Sequence, residues 1–262
     1  MLRALRTAAL GMSAQQTGVD NIAHNLANAN TTGYKRSTVI FHDLLYENVQ
    51  AHGQAEASGS AGPATLQIGH GATPIATMRN FTQGSFEVTG NNFDFAINGD
   101  GFFQVRMPDG QIAYTRDGAF TVSDDGYLVT QTGLPVEPDI SVPLDALDVH
   151  VSQDGLVKVR LEGDVEPVEI GQLELARFSN PSGLLAVGGN LYRATESSGE
   201  PTLATPGQDG VGVLRQGFLE GSNVDVVQEM VNLISAQRAY EINSKMVTTS
   251  EEMLQVANNV KR

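Results

Sequence analysis

Two long runs with heptad spacing, one at each end of the chain, constrain the fold more than any other feature. Near the N-terminus, mostly small or apolar residues recur at alternating intervals of three and four positions: Leu2, Leu5, Ala9, Met12, Gln16, Val19, Ala23 and Leu26. The same steps recur near the C-terminus, at Met230, Leu233, Gln237, Tyr240, Ser244, Val247, Glu251 and Leu254. This spacing is typical of helices that pack on other helices. It predicts two long terminal helices that pair as a coiled coil.

The remaining faces of both runs carry many amide and hydroxyl side chains and few Lys–Glu pairs. One interpretation is an ordinary helix pair packed on a sheet. A solvated helix face usually carries runs of charge, however, so weakly charged faces favour contact with neighbouring subunits. We therefore predict that the helix seams also form an assembly interface. Its candidate residues are Leu2, Leu5, Met12, Val19, Leu26, Met230, Leu233, Tyr240, Val247 and Leu254.

The first helix ends in an asparagine-rich stretch, "NIAHNLANANTTGYKR", residues 21 to 36. Asparagine competes with helical hydrogen bonding through its own side chain, and it tolerates the left-handed conformation found at helix ends. Asn25, Asn28 and Asn30 therefore mark the helix C-terminus, and Gly33 predicts the reversal of the chain. The amides can also bond outward, so we expect a contact surface here.

The middle of the chain changes to strand periodicity. Segments such as "FDFAINGDGFFQV" alternate around tight turns, and Asp-Gly, a common turn dipeptide, occurs six times. We expect an α+β protein with a central antiparallel β domain. The predicted divisions are an N-terminal helix at 1–32, an extended arm at 33–92, a β-rich outer domain at 93–215 and a C-terminal helix at 216–262, which packs on the first. Within the arm, residues 47 to 74 are rich in Gly, Ala, Ser and Pro and form a long linker-like segment.

Composition and motifs argue against several functions. The net charge of −14 disfavours a general nucleic-acid binder, and no apolar run is long enough to insert into a membrane. The chain has no cysteine, and its five histidines form no metal-binding pair, so no cofactor, metal or catalytic residue is predicted. The first residues superficially resemble a signal peptide, but their helical period continues beyond any cleavage point. A periplasmic binding module or enzyme is the rival from another functional class.

Both ends resemble one family of proteins. "AQQTGVDNIAHNLANANTTGYK", residues 14 to 35, is similar to the N-terminal signature of the axial proteins of the bacterial flagellum, the rod and hook proteins. His24 departs from that signature, because the family usually has asparagine there. "LEGSNVDVVQEMVNLISAQRAYEINSKMV" resembles the C-terminal motif of the same family. The motif positions carried over are Asn25, Asn28, Gly33, Tyr34, Lys35, Ser222, Asn223, Gln237, Arg238, Tyr240 and Glu241.

Within that family, stretches such as "DLLYENV", "LQIGHG" and "YTRDGAFTV" resemble the distal rod type of subunit. The resemblance implies a tubular helical homopolymer that acts as a rigid drive shaft and transmits torque from motor to hook. It further implies contacts with proximal rod proteins, the hook protein, the rod cap and the surrounding L and P ring proteins. Export through the flagellar type III apparatus, without a cleaved signal peptide, would place the rod across the periplasm. The alternative is a proximal rod or hook-type axial subunit, which should lack the segment 47 to 74.

Overall fold

A computed structural model of the protein describes residues 2–48, 67–143, 145–161 and 167–260. Most of the predicted linker segment, residues 47 to 74, therefore lies outside the described residues. A long helix lies near each end of the chain, and the strands between them pair antiparallel. This confirms the α+β prediction. The chain divides into two compact units, the first made of Met1–Leu26, Ser37–Met78 and Val226–Arg262, the second of Ala27–Arg36 and Arg79–Asp225.

The first unit contains the two terminal helices and four short strands. Their bounds are α1 (Leu2–Ala27), β1 (Ser37–Asp43), β2 (Tyr46–Asn48), β3 (Gln67–Gly69), β4 (Ala72–Arg79) and α2 (Val226–Val260). Strand β1 pairs with β4, and β2 pairs antiparallel with β3. Helix α1 stops where the asparagine-rich stretch begins to turn, as its sequence predicts.

Two contacts between described residues of α1 and α2 show how the helices of this unit are oriented. The Asn25 side chain donates to Glu229 Oε2 at 3.4 Å. Further along, a Cβ built on Gly11 would lie 3.0 Å from Nδ2 of Asn243. Moving back along α1 from 25 to 11 thus corresponds to moving forward along α2 from 229 to 243. The helices therefore run antiparallel, and glycine permits their close approach because any larger side chain would displace Asn243.

The second unit is built from strands. They are β5 (Phe86–Val88), β6 (Phe95–Asn98), β7 (Phe103–Arg106), β8 (Ile112–Thr115), β9 (Phe120–Val122), β10 (Leu128–Thr130), β11 (Val136–Glu137), β12 (Ala146–Val151), β13 (Leu156–Leu161), β14 (Val168–Gln172), β15 (Leu175–Arg177), β16 (Leu185–Gly188), β17 (Leu191–Arg193), β18 (Thr202–Ala204), β19 (Val213–Gln216) and β20 (Phe218–Glu220). The larger sheets have the orders β11-β7-β8-β17-β16 and β12-β13-β14. Strand β19 pairs with β6, and β20 pairs with β5.

Two apolar clusters form the interior of this second unit. The larger one holds aliphatic and aromatic residues from many strands, with Phe103 and Phe120 meeting edge to face at 5.1 Å between ring centroids. The smaller one is aromatic and contains Phe102, Phe178 and Tyr192, with Phe81 packed against it. Edge-to-face rings stabilise a core by about 0.5–1.5 kcal/mol per pair beyond their buried area. Two arginines lie over rings of this cluster, Arg79 over Tyr192 and Arg116 over Phe102.

Candidate functional site: a buried junction of the two terminal motifs

The segments that carry the two terminal motifs meet inside the second unit. Residues 33 to 36 follow helix α1, and residues 220 to 223 precede helix α2. Both contact residues 79 to 84 and Arg116. We call these residues together the motif junction. The path of the chain explains the meeting. The chain runs through the same region of the second unit after the end of α1 and again before the start of α2.

A fully buried ion pair lies at the centre of the motif junction. Lys35 Nζ is 2.6 Å from Glu220 Oε1, and neither side chain is exposed to solvent. Lys35 Nζ also donates to the carbonyl oxygen of Thr82 at 2.8 Å, and the Gly84 N–H donates to Glu220 Oε1 at 2.9 Å. Burial lowers the pKa of Lys35, and the charge of Glu220 opposes that shift. Removing one partner of such a pair typically costs about 3–5 kcal/mol, because the other charge stays buried and unpaired.

Arg116 brings a second cation to the same carboxylate. Its Nη1 lies 3.5 Å from Glu220 Oε2, and its guanidinium stacks over the Phe102 ring at 5.3 Å. The side chain is almost completely buried. Burial lowers the pKa of Arg116, against the raising effect of Glu220. Two buried cations therefore share one buried carboxylate.

Asn223 fastens three backbone segments together at the junction. Its Oδ1 accepts from the Arg36 N–H at 2.7 Å. Its Nδ2 donates to the carbonyl oxygens of Asn80 and Thr82, at 2.9 and 3.0 Å. An asparagine that uses both ends of its amide fixes its neighbours in one arrangement, since each broken bond would leave a backbone group unsatisfied.

The residues between Gly33 and Lys35 fix the local backbone. Gly33 has φ of +66°, and its N–H donates to the Glu220 carbonyl oxygen at 2.7 Å. A Cβ at this position would lie 2.7 Å from the backbone nitrogen of Asp117. Tyr34 is buried, and the Arg79 guanidinium stacks on its ring at 5.6 Å. The predicted reversal at Gly33 therefore has a steric cause as well as a conformational one.

The other predicted motif residues lie in different settings. Asn25 is buried in the first unit, where its amide exchanges hydrogen bonds with the backbone of Ser37 at 2.8 and 2.9 Å. Asn28 Oδ1 accepts from the Thr31 hydroxyl at 3.2 Å, and Ser222 Oγ accepts from the Val224 N–H at 3.3 Å. On helix α2, the exposed motif residues are Gln237, Arg238, Tyr240 and Glu241. Of the predicted set, the residues that lie within the motif junction are Gly33, Tyr34, Lys35, Ser222 and Asn223.

Helix α1 presents two different faces. Its buried residues are Ala8, Ala14 and Asn25. At about 100° per residue, Ala14 and Asn25 lie roughly opposite the centre of the predicted seam, whereas Ala8 lies at the edge of the seam, beside Val19 and Leu26. The described seam side chains on α1, namely Leu5, Met12, Val19 and Leu26, are half-buried; Leu2 is the first residue of the helix. The contact within the chain thus uses the small-residue face, and the role of the seam between subunits stays a prediction.

Helix α2 also exposes apolar side chains. Of its predicted seam residues, Leu233, Val247 and Leu254 are half-buried, whereas Met230 and Tyr240 are exposed. Further apolar residues that the sequence prediction did not select are more exposed, with Val227 at 72% and Ile242 at 63%. A helix with apolar residues on every side normally has neighbours on every side.

Sequence reasoning missed Glu220 and Arg116 as site residues. Glu220 lies inside the quoted C-terminal motif. The sequence offered one indirect indication of its role: a lysine such as Lys35 requires a carboxylate partner if it becomes buried. Nothing in the spacing indicated Arg116, because it reaches the site through the strand pairing of β7 and β8.

Comparison with known proteins identifies the family. Family models match residues 5–35 (flagella basal body rod protein), 96–159 (flagellar hook protein FlgE/F/G D1 domain) and 215–260 (flagellar basal body rod FlgEFG protein, C-terminal). The chain is 48% identical to the flagellar basal-body rod protein FlgG of Buchnera aphidicola subsp. Baizongia pistaciae, over 97% of this chain and 98% of that protein. It is 47% identical to FlgG of Borreliella burgdorferi over the whole of both chains. The chain belongs to the FlgG family of flagellar basal-body rod proteins.

Membership of the FlgG family settles the functional class. Members are structural rod proteins, so this chain is a structural component of the flagellar basal body and not an enzyme. A related rod protein, FlgF of Caulobacter vibrioides, is 38% identical over 93% of each chain. The first matched family region ends at Lys35 and the last contains Glu220, so the motif junction joins two parts of the FlgG sequence that separate family models describe.

Two further classes of site receive no support from the part of the chain that the structure describes. None of its helices is both long and apolar enough to cross a lipid bilayer. Within the same residues, no group of three or more histidine and carboxylate side chains is placed to hold a metal ion.

The motif junction predicts that Gly33→Ala strongly destabilises the second unit. The left-handed backbone alone costs a non-glycine residue about 1–2 kcal/mol, and the clash with Asp117 adds to that. Urea unfolding followed by circular dichroism should therefore show a loss above about 2 kcal/mol.

Gly110→Ala is the matched control, because Gly110 has φ of +78° and no atom within 4 Å of the added Cβ. Its free energy of unfolding should fall only by the cost of the left-handed backbone, about 1–2 kcal/mol. Equal losses in the two variants would show that the packing at Gly33 does not matter.

Proposed function

We propose that the chain is a subunit of the distal flagellar rod and polymerises into a rigid tubular shaft that transmits torque from motor to hook. The observation that carries this proposal is the combination of a buried motif junction with terminal helices whose apolar side chains are left largely uncovered. In the proposed shaft, the terminal helices pair as coiled-coil elements and pack with those of neighbouring copies. The β unit forms the outer part of the tube.

The exposed surface of the first unit supports polymerisation. Met230, Val231 and Ile234 on α2 are each about half exposed, and Leu45 after β1 is 85% exposed. Large contiguous apolar surfaces on soluble proteins usually mark sites of protein association. A homopolymer supplies the covering surface from identical copies, so no second protein is required along most of the shaft.

The motif junction suits a part that carries load. Residues 33 to 36 follow α1 in the sequence and residues 220 to 223 precede α2, and both segments are held by the Lys35–Glu220 pair and by Asn223. Buried hydrogen-bonded charges resist displacement because separating them exposes unpaired charge in an apolar interior. Twisting force would therefore be passed on without loosening the fold.

The proposal includes the environment of the rod. Its neighbours would be further copies, the proximal rod proteins, the hook protein, the rod cap and the L and P ring proteins, in a rod that crosses the periplasm after type III export. The alternative is a proximal rod or hook-type subunit. Among relatives from one organism, Caulobacter vibrioides, the chain is 44% identical to FlgG and 38% identical to FlgF, which favours the distal rod. Electron microscopy of basal bodies from cells lacking the gene should show rods that stop short, and complete rods would contradict the proposal.

Polymerisation through the helix faces predicts that Met230→Asp abolishes rod assembly. Met230 is 49% exposed in the single chain, so the substitution leaves the monomer folded. A carboxylate buried in an apolar interface typically costs several kcal/mol unless it finds a partner. Cells that carry this variant should be non-motile, and the purified protein should keep the circular dichroism spectrum of the wild type.

Met230→Leu is the control for this position, because a change that nearly conserves volume usually costs less than about 1.5 kcal/mol even in a packed core. It should assemble and support swimming. Normal motility with Met230→Asp would show that Met230 does not face a neighbouring subunit.

The segment of residues 47 to 74 leads to a separate prediction, although residues 49 to 66 lie outside the described residues. Small side chains let backbones approach closely, so this strip can lie against adjacent subunits and oppose the sliding that bending requires. Deleting residues 50 to 65 should leave a protein that polymerises into a more flexible or curved tube. Electron micrographs of mutant basal bodies would refute this if the rods were as straight as those of the wild type.

A further inference from the structure

The chain contains one Asn-Gly dipeptide, Asn98-Gly99, at the end of strand β6. In such a dipeptide the backbone nitrogen of the glycine can attack the side-chain carbonyl carbon of the asparagine. The product is a five-membered succinimide ring, which water opens to aspartate or isoaspartate. Glycine favours the attack because it has no Cβ to hinder the approach. Asn98 is exposed, so water reaches the site.

The fold requires glycine at position 99. Gly99 has φ of +117°, a conformation that other residues rarely adopt. A Cβ built there would lie 2.8 Å from Cα of Gly212, which leaves no room for a side chain. A change at Gly99 therefore cannot remove the reactive dipeptide without straining the backbone. Protection of the dipeptide has to come from the residues around it.

The side chain of Gln83 holds the backbone on both sides of Asn98. Its Oε1 accepts from the Gly99 N–H at 3.0 Å, and its Nε2 donates to the carbonyl oxygen of Ile97. The Gly99 nitrogen is the atom that must lose its proton and approach Cγ of Asn98. The acceptor opposes both steps, because a deprotonated nitrogen would face the oxygen of Gln83 with no proton between them.

The backbone that carries Gln83 is itself held by the motif junction. The Thr82 carbonyl oxygen accepts from Lys35 Nζ, and the Gly84 N–H donates to Glu220 Oε1. The backbone on both sides of Gln83 is thus anchored to a buried ion pair, although the Gln83 side chain is exposed. A side chain on an anchored backbone loses less conformational entropy when it binds, which strengthens both of its hydrogen bonds.

We propose that Asn98 is a deamidation site of this chain and that Gln83 suppresses the reaction by holding the Gly99 nitrogen. In the reaction, a bond forms between that nitrogen and Cγ of Asn98 while the bond from Cγ to Nδ2 breaks. The proton of the Gly99 nitrogen leaves with Nδ2 as ammonia. One water molecule then adds to the succinimide and gives either acid. Gln83 makes no bond to the reacting carbon, so it is a positioning residue.

Deamidation would damage the strand that carries Asn98. Either acid adds one negative charge close to Asp100, and isoaspartate also inserts a methylene group into the backbone. Asn98 is paired with Val213 of β19, so the insertion would disturb that register. Strand β19 leads into β20 and Glu220. Protection of Asn98 therefore also protects the chain that enters the motif junction.

Peptide mapping by mass spectrometry tests the role of Gln83. Folded wild type and Gln83→Ala are incubated at mildly alkaline pH, and modified Asn98 is followed by the mass difference between an amide and an acid. Loss of the acceptor should raise the rate at Asn98 about five- to ten-fold, as expected for one lost hydrogen bond. Because Gln83 is exposed, the variant should keep the circular dichroism spectrum of the wild type. An unchanged rate would overturn the proposal.

Gln216→Ala is the matched control for a general loosening of the second unit. Gln216 also uses both ends of its amide, since Oε1 accepts from the Val151 N–H at 3.0 Å and Nε2 donates to the Val149 carbonyl oxygen at 2.7 Å. The Gly99 N–H keeps its acceptor in this variant, so the rate at Asn98 should stay close to that of the wild type. An equal rise in both variants would overturn the specific role of Gln83.

Wild type unfolded in guanidinium chloride measures the reactivity of the dipeptide itself. Asn98 should then react faster than in folded Gln83→Ala, because the strand pairing is lost as well. Asn92 is exposed but precedes a phenylalanine, so it should react far more slowly than Asn98 in every sample. Equal rates at Asn92 and Asn98, or no faster reaction in the unfolded chain, would overturn Asn98 as a protected deamidation site.

Discussion

The buried pair of Lys35 and Glu220 is the interaction on which the rest of the structure depends. The two residues lie 185 positions apart in the sequence and 2.6 Å apart in the fold. Around them, within the second unit, the Gly33 N–H donates to the Glu220 carbonyl oxygen and the Asn223 amide donates to the Thr82 carbonyl oxygen. An apolar contact in the same place would tolerate sliding, because hydrophobic attraction has no direction. A hydrogen-bonded ion pair fixes both register and orientation, which a shaft under torsion requires.

A second constraint is that the terminal helices use one face for contacts within the chain and leave apolar side chains exposed on another. Within one chain α1 meets α2 through small residues and amides, as at Gly11 and Asn25, where backbones come close and little apolar area is needed. Larger apolar side chains such as Val227 and Ile242 are left exposed. In the proposed polymer, neighbouring copies would bury these side chains and stabilise the helices. The structural role of the FlgG family agrees with that arrangement.

Much of this architecture could be predicted from the sequence. The heptad spacing gave the two helices, the asparagines and Gly33 gave the end of α1, and the Asp-Gly turns gave the antiparallel strands. The face of α1 that packs within the chain could not be predicted, because Gly and Ala carry almost no hydrophobic signal although they allow the closest approach. Glu220 and Arg116 were missed for another reason. A pairing between distant residues depends on the topology of the sheets, and no local pattern records it.

A double-mutant cycle between Lys35 and Glu220 tests the central claim most directly. Urea unfolding of wild type, Lys35→Met, Glu220→Gln and the double variant can be followed by tyrosine fluorescence, since the chain has no tryptophan. If the pair fixes the motif junction, each single variant should lose about 3–5 kcal/mol, and the double variant should lose at least about 2 kcal/mol less than the sum. Losses that simply add, within about 0.5 kcal/mol, would contradict the account, because additivity is the behaviour of independent sites.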